Sequence, residues 1–142
     1  MLRTLLAAAA LALVASPVLA QADKPANSIQ GQYDASNDPG RFDLDHDGTL
    51  SLAEAKSAAA YEFNKLEADH DGTLTRQELG NRVTEAELKQ VDPDNDGTLD
   101  KAEYLKLVEQ RFDKAAGGPD KTIKTADLSS SKAGKQLLQL MQ

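Results

Sequence analysis

Three stretches of the chain place carboxylates at alternate positions and follow them with a glycine. Asp43, Asp45 and Asp47 precede Gly48; Glu67, Asp69 and Asp71 precede Gly72; Asp92, Asp94 and Asp96 precede Gly97. A glutamate closes each twelve-residue segment: Glu54, Glu78 and Glu103. Alternate acids on a turning chain can aim their oxygens at one centre. The chemistry this suits is the holding of a hard cation, which for Ca²⁺ means six to eight oxygens at about 2.3 to 2.6 Å. Glycine at position 6 permits the sharp bend, because it takes positive φ without steric cost. Thr49, Thr73 and Thr98 at position 7 offer backbone carbonyls, and Ser51, Thr75 and Asp100 occupy position 9. Thirteen of the 23 acidic residues fall at such positions, a sorting that a merely solvated surface would not produce.

Three copies in register match the EF-hand calcium loop. About three ions per chain are expected, Ca²⁺ or trivalent lanthanide. Leu50, Leu74 and Leu99, apolar at position 8 of polar loops, are expected to pair as short strands that hold loops side by side. A fourth copy over residues 116–127 keeps the Thr122-Ile123 pair but has Ala116, Gly118, Lys121, Lys124 and Asp127 at positions 1, 3, 6, 9 and 12. Asp113 could instead start a longer irregular loop, and either register has a poor ligand set. Its expected role is structural, with Ile123 pairing to Leu99.

The loops start at residues 43, 67, 92 and 116, too close for separate incoming and outgoing helices. The expected fold is therefore all-α: a compact EF-hand domain of four helix-loop-helix repeats with shared helices and small strand pairings. Residues 55–66, rich in Ala with Tyr61, Phe63 and Leu66, suit one helix. Gly80-Asn81 breaks the next linker, and Thr84 with Glu87 reads as a capping box that starts a second short helix. Tyr104, Val108 and Phe112 share a face of a third helix. Residues 132–141 form a short amphipathic helix with Leu137, Leu138, Leu140 and Met141.

Composition bounds the rest. The net charge is −7, with three Phe, three Tyr and no Trp, so the core is small and self-repulsion strong. Acidity argues against nucleic acid and anionic lipid as partners. Arg3 is followed by an apolar run over residues 5–14 and by small residues up to Ala20. This reads as a secretory signal with cleavage after residue 20, too short to span a bilayer. Residues 21–40 read as a flexible lead-in and 41–142 as the EF-hand domain. The chain has no cysteine, hence neither a disulfide framework nor a thiol nucleophile. His46 and His70 sit at loop position 4, which faces away from an ion, and are read as solvent-exposed. No Ser-His pairing suggests a triad, so an enzyme is not expected.

The chain resembles the lanmodulin family of bacterial periplasmic lanthanide-binding EF-hand proteins. The resemblance covers roughly residues 41–142. It rests on the compressed spacing, the link Arg82-Val-Thr-Glu-Ala-Glu-Leu-Lys89, and the third loop with its flanks, residues 91–105. It implies lanthanide ions bound more tightly than calcium by the first three loops, through the acids named above. Family loops carry Pro at position 2 and Asp at position 9. Only the third loop here has both, Pro93 and Asp100; the first has Leu44 and Ser51, the second Ala68 and Thr75. The expected function is a metal carrier or buffer, monomeric, in the periplasm or secreted. The alternative is a calcium-dependent module that binds a periplasmic protein partner.

Overall fold

The computed structural model describes residues 38–118 and 121–142. The expected signal segment and most of the lead-in lie outside the described residues. The first element is a 3₁₀ turn, Pro39–Phe42, capped by Asp38 and ending at Asp43. Then follow β1 (Thr49–Leu50), α1 (Leu52–Leu66), β2 (Thr73–Leu74), α2 (Arg76–Leu79) and α3 (Glu85–Val91). After them come β3 (Leu99–Asp100), α4 (Lys101–Ala116), β4 (Ile123–Lys124), α5 (Thr125–Leu128) and α6 (Lys132–Leu138).

Local chemistry explains where the helices start. Ser51, Thr75, Thr84 and Asp100 are N-caps, and each forms a capping box with the glutamate three residues on. In three of these boxes that glutamate is also the last residue of an acidic loop. The same carboxylate thus closes a loop and opens a helix. α1 is a single 15-residue helix that leaves the first loop and enters the second, as the spacing requires. Gly80 (φ +55°) ends α2, and left-handed Gly117 (φ +77°) ends α4.

The core gathers on the inner faces of α1, α4 and α6. Ala55, Ala58, Ala59 and Phe63 of α1 meet Tyr104, Leu107, Val108 and Phe112 of α4, and all are buried. Phe63 and Tyr104 pack edge to face with ring centroids 5.6 Å apart. The Tyr104 hydroxyl donates to the Leu140 carbonyl at 2.9 Å, which ties α4 to the segment after α6. Arg111 is buried as well. Its Nε and Nη2 donate to Glu87 at 3.1 Å each, Nη2 also donates to the Arg82 carbonyl at 2.6 Å, and Nη1 donates to the Gln136 carbonyl.

The strand pairing corrects one expectation. Ile123 does not meet Leu99. β4 pairs with β1, antiparallel, setting Leu50 opposite Ile123, and β2 pairs with β3, setting Leu74 opposite Leu99. The shared helices are the reason. α1 spans about 22 Å at 1.5 Å per residue and holds the first and second loops at its opposite ends. α4 likewise separates the third loop from the fourth. Only the linker between the second and third loops, broken at Gly80, can double back. Those two loops therefore pair, and the first is left to pair with the fourth.

Candidate metal centre

Each acidic loop begins where a helix or 3₁₀ turn stops: Asp43 follows the turn, Glu67 is the C-cap of α1 and Asp92 that of α3. The chain then bends through left-handed residues at position 4, His46 (φ 59°), His70 (φ 60°) and Asn95 (φ 56°), and at the position-6 glycines. Both histidines are exposed, as expected.

Backbone amides fix the carboxylates. In the first loop Asp43 accepts from Asp47 N at 3.2 Å and from Gly48 N at 2.8 Å. Asp45 accepts from Asp47 N at 3.3 Å, and Asp47 from Thr49 N and Oγ1 at 2.7 Å. The third loop repeats this: Asp92 accepts from Gly97 N at 3.1 Å, and Asp96 from Thr98 N and Oγ1 at 2.8 and 2.7 Å. Carboxylate oxygens of Asp43, Asp45 and Asp47 lie within 4.8 Å of one another, as do those of Asp92, Asp94 and Asp96. In the second loop Glu67 accepts from Gly72 N at 2.6 Å and Asp71 from Thr73 N at 2.8 Å, so the scaffold is retained. Among the described residues, however, Glu67, Asp69 and Asp71 do not converge as the two aspartate triads do.

The crowding has electrostatic signatures. Asp94 is pushed above the usual carboxylate range, first by the Asp92 carboxylate beside it, then by burial and by the charge of Asp96. Glu103 is raised by burial and by the charges of Asp100, Asp94 and Asp92, against one lowering hydrogen bond from the Asp100 amide. Glu78 of the second loop moves down, because the Thr75 amide and hydroxyl and the Ala68 amide all donate to it.

The residues present fit a cation. Asp92 is 5 % exposed, and its Oδ1 is buried without a hydrogen-bond partner. A buried carboxylate oxygen that nothing donates to is costly unless an ion takes the place of a donor. Oxygen donors alone, with no Cys and exposed His, suit a hard ion rather than a soft one. The EF-hand family model matches residues 40–55 and 85–108, which hold the first and third loops. These two acidic loops are consistent with EF-hand metal-binding loops. A search of curated proteins finds no significant match.

Among its described residues the fourth loop carries no comparable set. Ala116 is the last residue of α4 rather than a loop ligand, and the Lys121 ammonium donates to the Gly117 carbonyl at 3.0 Å. Two contributors to the acidic loops have no signature in the sequence. Thr125 donates its N–H and hydroxyl to the Gly48 carbonyl at 3.2 and 3.3 Å, which braces the bend of the first loop. Arg111 holds Glu87 and so fixes α3, which leads into the third loop. Both contacts are far apart in sequence, and no local pattern announces them.

Proposed function

We propose that the chain is an exported carrier or buffer of hard cations, Ca²⁺ or trivalent lanthanide, which binds about three ions and folds as it binds them. The observation that carries this reading is the pair of convergent aspartate triads, with Asp92 Oδ1 buried and unpartnered in the third loop. Coupled folding follows from charge. Thirteen acids at ligand positions repel one another around a small core, so binding energy appears as folding energy. The third loop has five acidic side chains at ligand positions, Asp92, Asp94, Asp96, Asp100 and Glu103, where the others have four. A trivalent ion gains more from the extra carboxylate than a divalent one, since the Coulomb energy scales with the product of charges. The residue pattern before Ala20 supports export.

Two features favour a carrier over a module that opens toward a protein partner. Calcium sensors expose a flexible, Met-rich groove. Apart from Met1 the sole methionine is Met141, which is 2 % exposed. The Arg111–Glu87 pair also clamps α4 to α3, the two helices that would have to part.

The test is a competitive titration of the mature protein with Ca²⁺ and La³⁺, followed by circular dichroism and native mass spectrometry. Helical signal should rise from a weak metal-free level and saturate at three ions, with La³⁺ displacing Ca²⁺. A chelator that leaves both the spectrum and the hydrodynamic radius unchanged would refute coupled folding. Ready displacement of La³⁺ by excess Ca²⁺ would leave a calcium protein.

A further inference from the structure

We propose that the closing glutamates of the first and second loops are latched by hydrogen bonds that the third loop lacks, and that this difference makes the third loop load first. The inference rests on the metal-binding reading above and assigns the order of loading to named donors.

The three glutamates differ in what donates to them. Glu54 accepts from the Leu44 N–H at 2.7 Å through Oε1, and from Ser51 N and Oγ at 2.8 Å each through Oε2. Glu78 repeats the set: Ala68 N at 3.0 Å through Oε1, Thr75 N and Oγ1 at 2.8 Å through Oε2. Glu103 accepts from Asp100 N at 2.9 Å alone among the described residues. Two substitutions remove the other donors. Pro93 at position 2 has no N–H, and Asp100 at position 9 has a carboxylate where Ser51 and Thr75 have a hydroxyl. A carboxylate oxygen already shared with donors gives less of its lone-pair density to an ion, and turning it toward the ion breaks those bonds. Glu54 and Glu78 meet that cost three times over, Glu103 once.

Charge count alone also favours the third loop, so the test must hold charge constant. The backbone allows this. Asp43 (φ −79°, ψ 93°) and Glu67 (φ −69°, ψ 85°) resemble Asp92 (φ −101°, ψ 85°), the residue that precedes Pro93. The residues before positions 44 and 68 thus have nearly the backbone that Asp92 has before Pro93. Leu44→Pro and Ala68→Pro delete a latch donor; Pro93→Ala restores one. A backbone ester at position 44 deletes the same N–H without fixing φ, which separates the latch from the stiffening that proline brings.

Sub-stoichiometric La³⁺ is titrated into the full mature protein, with the Gly48, Gly72 and Gly97 amide resonances reporting each loop. In the unaltered protein Gly97 should respond first. At one equivalent the Leu44 and Ala68 amides should exchange slowly with solvent, and speed up only if their glutamates are released. Leu44→Pro and the ester should both raise the first loop's affinity relative to the third by about ten-fold, the scale of one hydrogen bond to a charged group. Pro93→Ala should lower the third loop's lead by a similar factor. An effect of Leu44→Pro without one of the ester would show chain stiffness instead and overturn the latch, as would unchanged loading order in every variant. If the unaltered protein takes up no La³⁺ or Ca²⁺, the metal-binding reading itself falls, a result distinguishable from either.

Discussion

Leu50 lies opposite Ile123, so the first acidic loop is braced by the fourth loop, which lacks the acidic pattern of the other three, while Leu74 and Leu99 join the second loop to the third. Both Leu50 and Ile123 are buried. Ile123→Ala should destabilise the metal-loaded protein by about 2 to 4 kcal/mol through the cavity it leaves. It should also weaken ion binding in the first loop more than in the other two. Chemical denaturation and site-resolved titration check the two effects; equal weakening in all three loops would show that the brace is not local. Filling the third loop should tighten the second and leave the first nearly unchanged, a coupling that calorimetry of an Asp92→Asn, Asp96→Asn double variant would expose.

The second loop should be the weakest of the three. Glu67 is one methylene longer than aspartate, and its loop lacks the convergent triad seen in the other two. Glu67→Asp should draw the acids together and tighten that site. Native mass spectrometry should still count three ions at saturation; a fourth ion would mean that residues 116–127 retain a site.

The metal-free and metal-loaded proteins should respond to acid in opposite directions. Asp94 and Glu103 have raised carboxyl pKa values, by the causes given above, so the native state holds their protons more tightly than the unfolded chain does. Their contribution is therefore present below the ordinary pKa and is lost as pH rises through the raised one. The metal-free protein should gain helix and melt higher as pH falls from neutral toward the ordinary carboxylate range. The loaded protein should lose stability over the same interval, because protons compete for its ligands. Glu87 does not interfere. Burial would raise it, but hydrogen bonds from Arg111 and Thr84 outweigh that and hold it at about 2. Its contribution is complete above the ordinary glutamate pKa and fades only as pH falls from there toward about 2. Thermal melts with and without chelator give the comparison, and parallel pH profiles would contradict it.

Gly134→Ala should cost about 1 to 3 kcal/mol, even though alanine is the better helix former. A Cβ there would stand 2.3 Å from the Leu128 carbonyl oxygen, a backbone atom that cannot rotate aside. The substitution should push α6 away from α5 and lower the melting temperature of the loaded protein. An unchanged melt would mean that this contact yields without cost.

The loops were legible because their chemistry is local. Every acid that an ion would need lies within twelve residues of its partners, and the glycine and the closing glutamate stand at fixed offsets. The helix starts were legible for the same reason: a capping box spans four residues, and Thr84 with Glu87 shows it plainly. The shared helix α1 followed from counting, since the space between the first two loops holds only one.

Pairing was not legible. Ile123 and Leu99 are equally apolar and equally placed in their loops, so the residues alone cannot say which leucine Ile123 meets. That is decided by the stiffness of α1 and α4, which hold successive loops apart, and by Gly80, which lets one linker turn back. The donors around each glutamate lie between these extremes. Pro93 and Asp100 can be read in the chain, but only the folded loop puts the Leu44 and Ala68 amides against Glu54 and Glu78. Sequence by itself determined which atoms are available to an ion and where the helices begin, because those depend on neighbours along the chain. Tertiary structure alone decided which loops support one another, because that depends on where rigid helices deliver their ends.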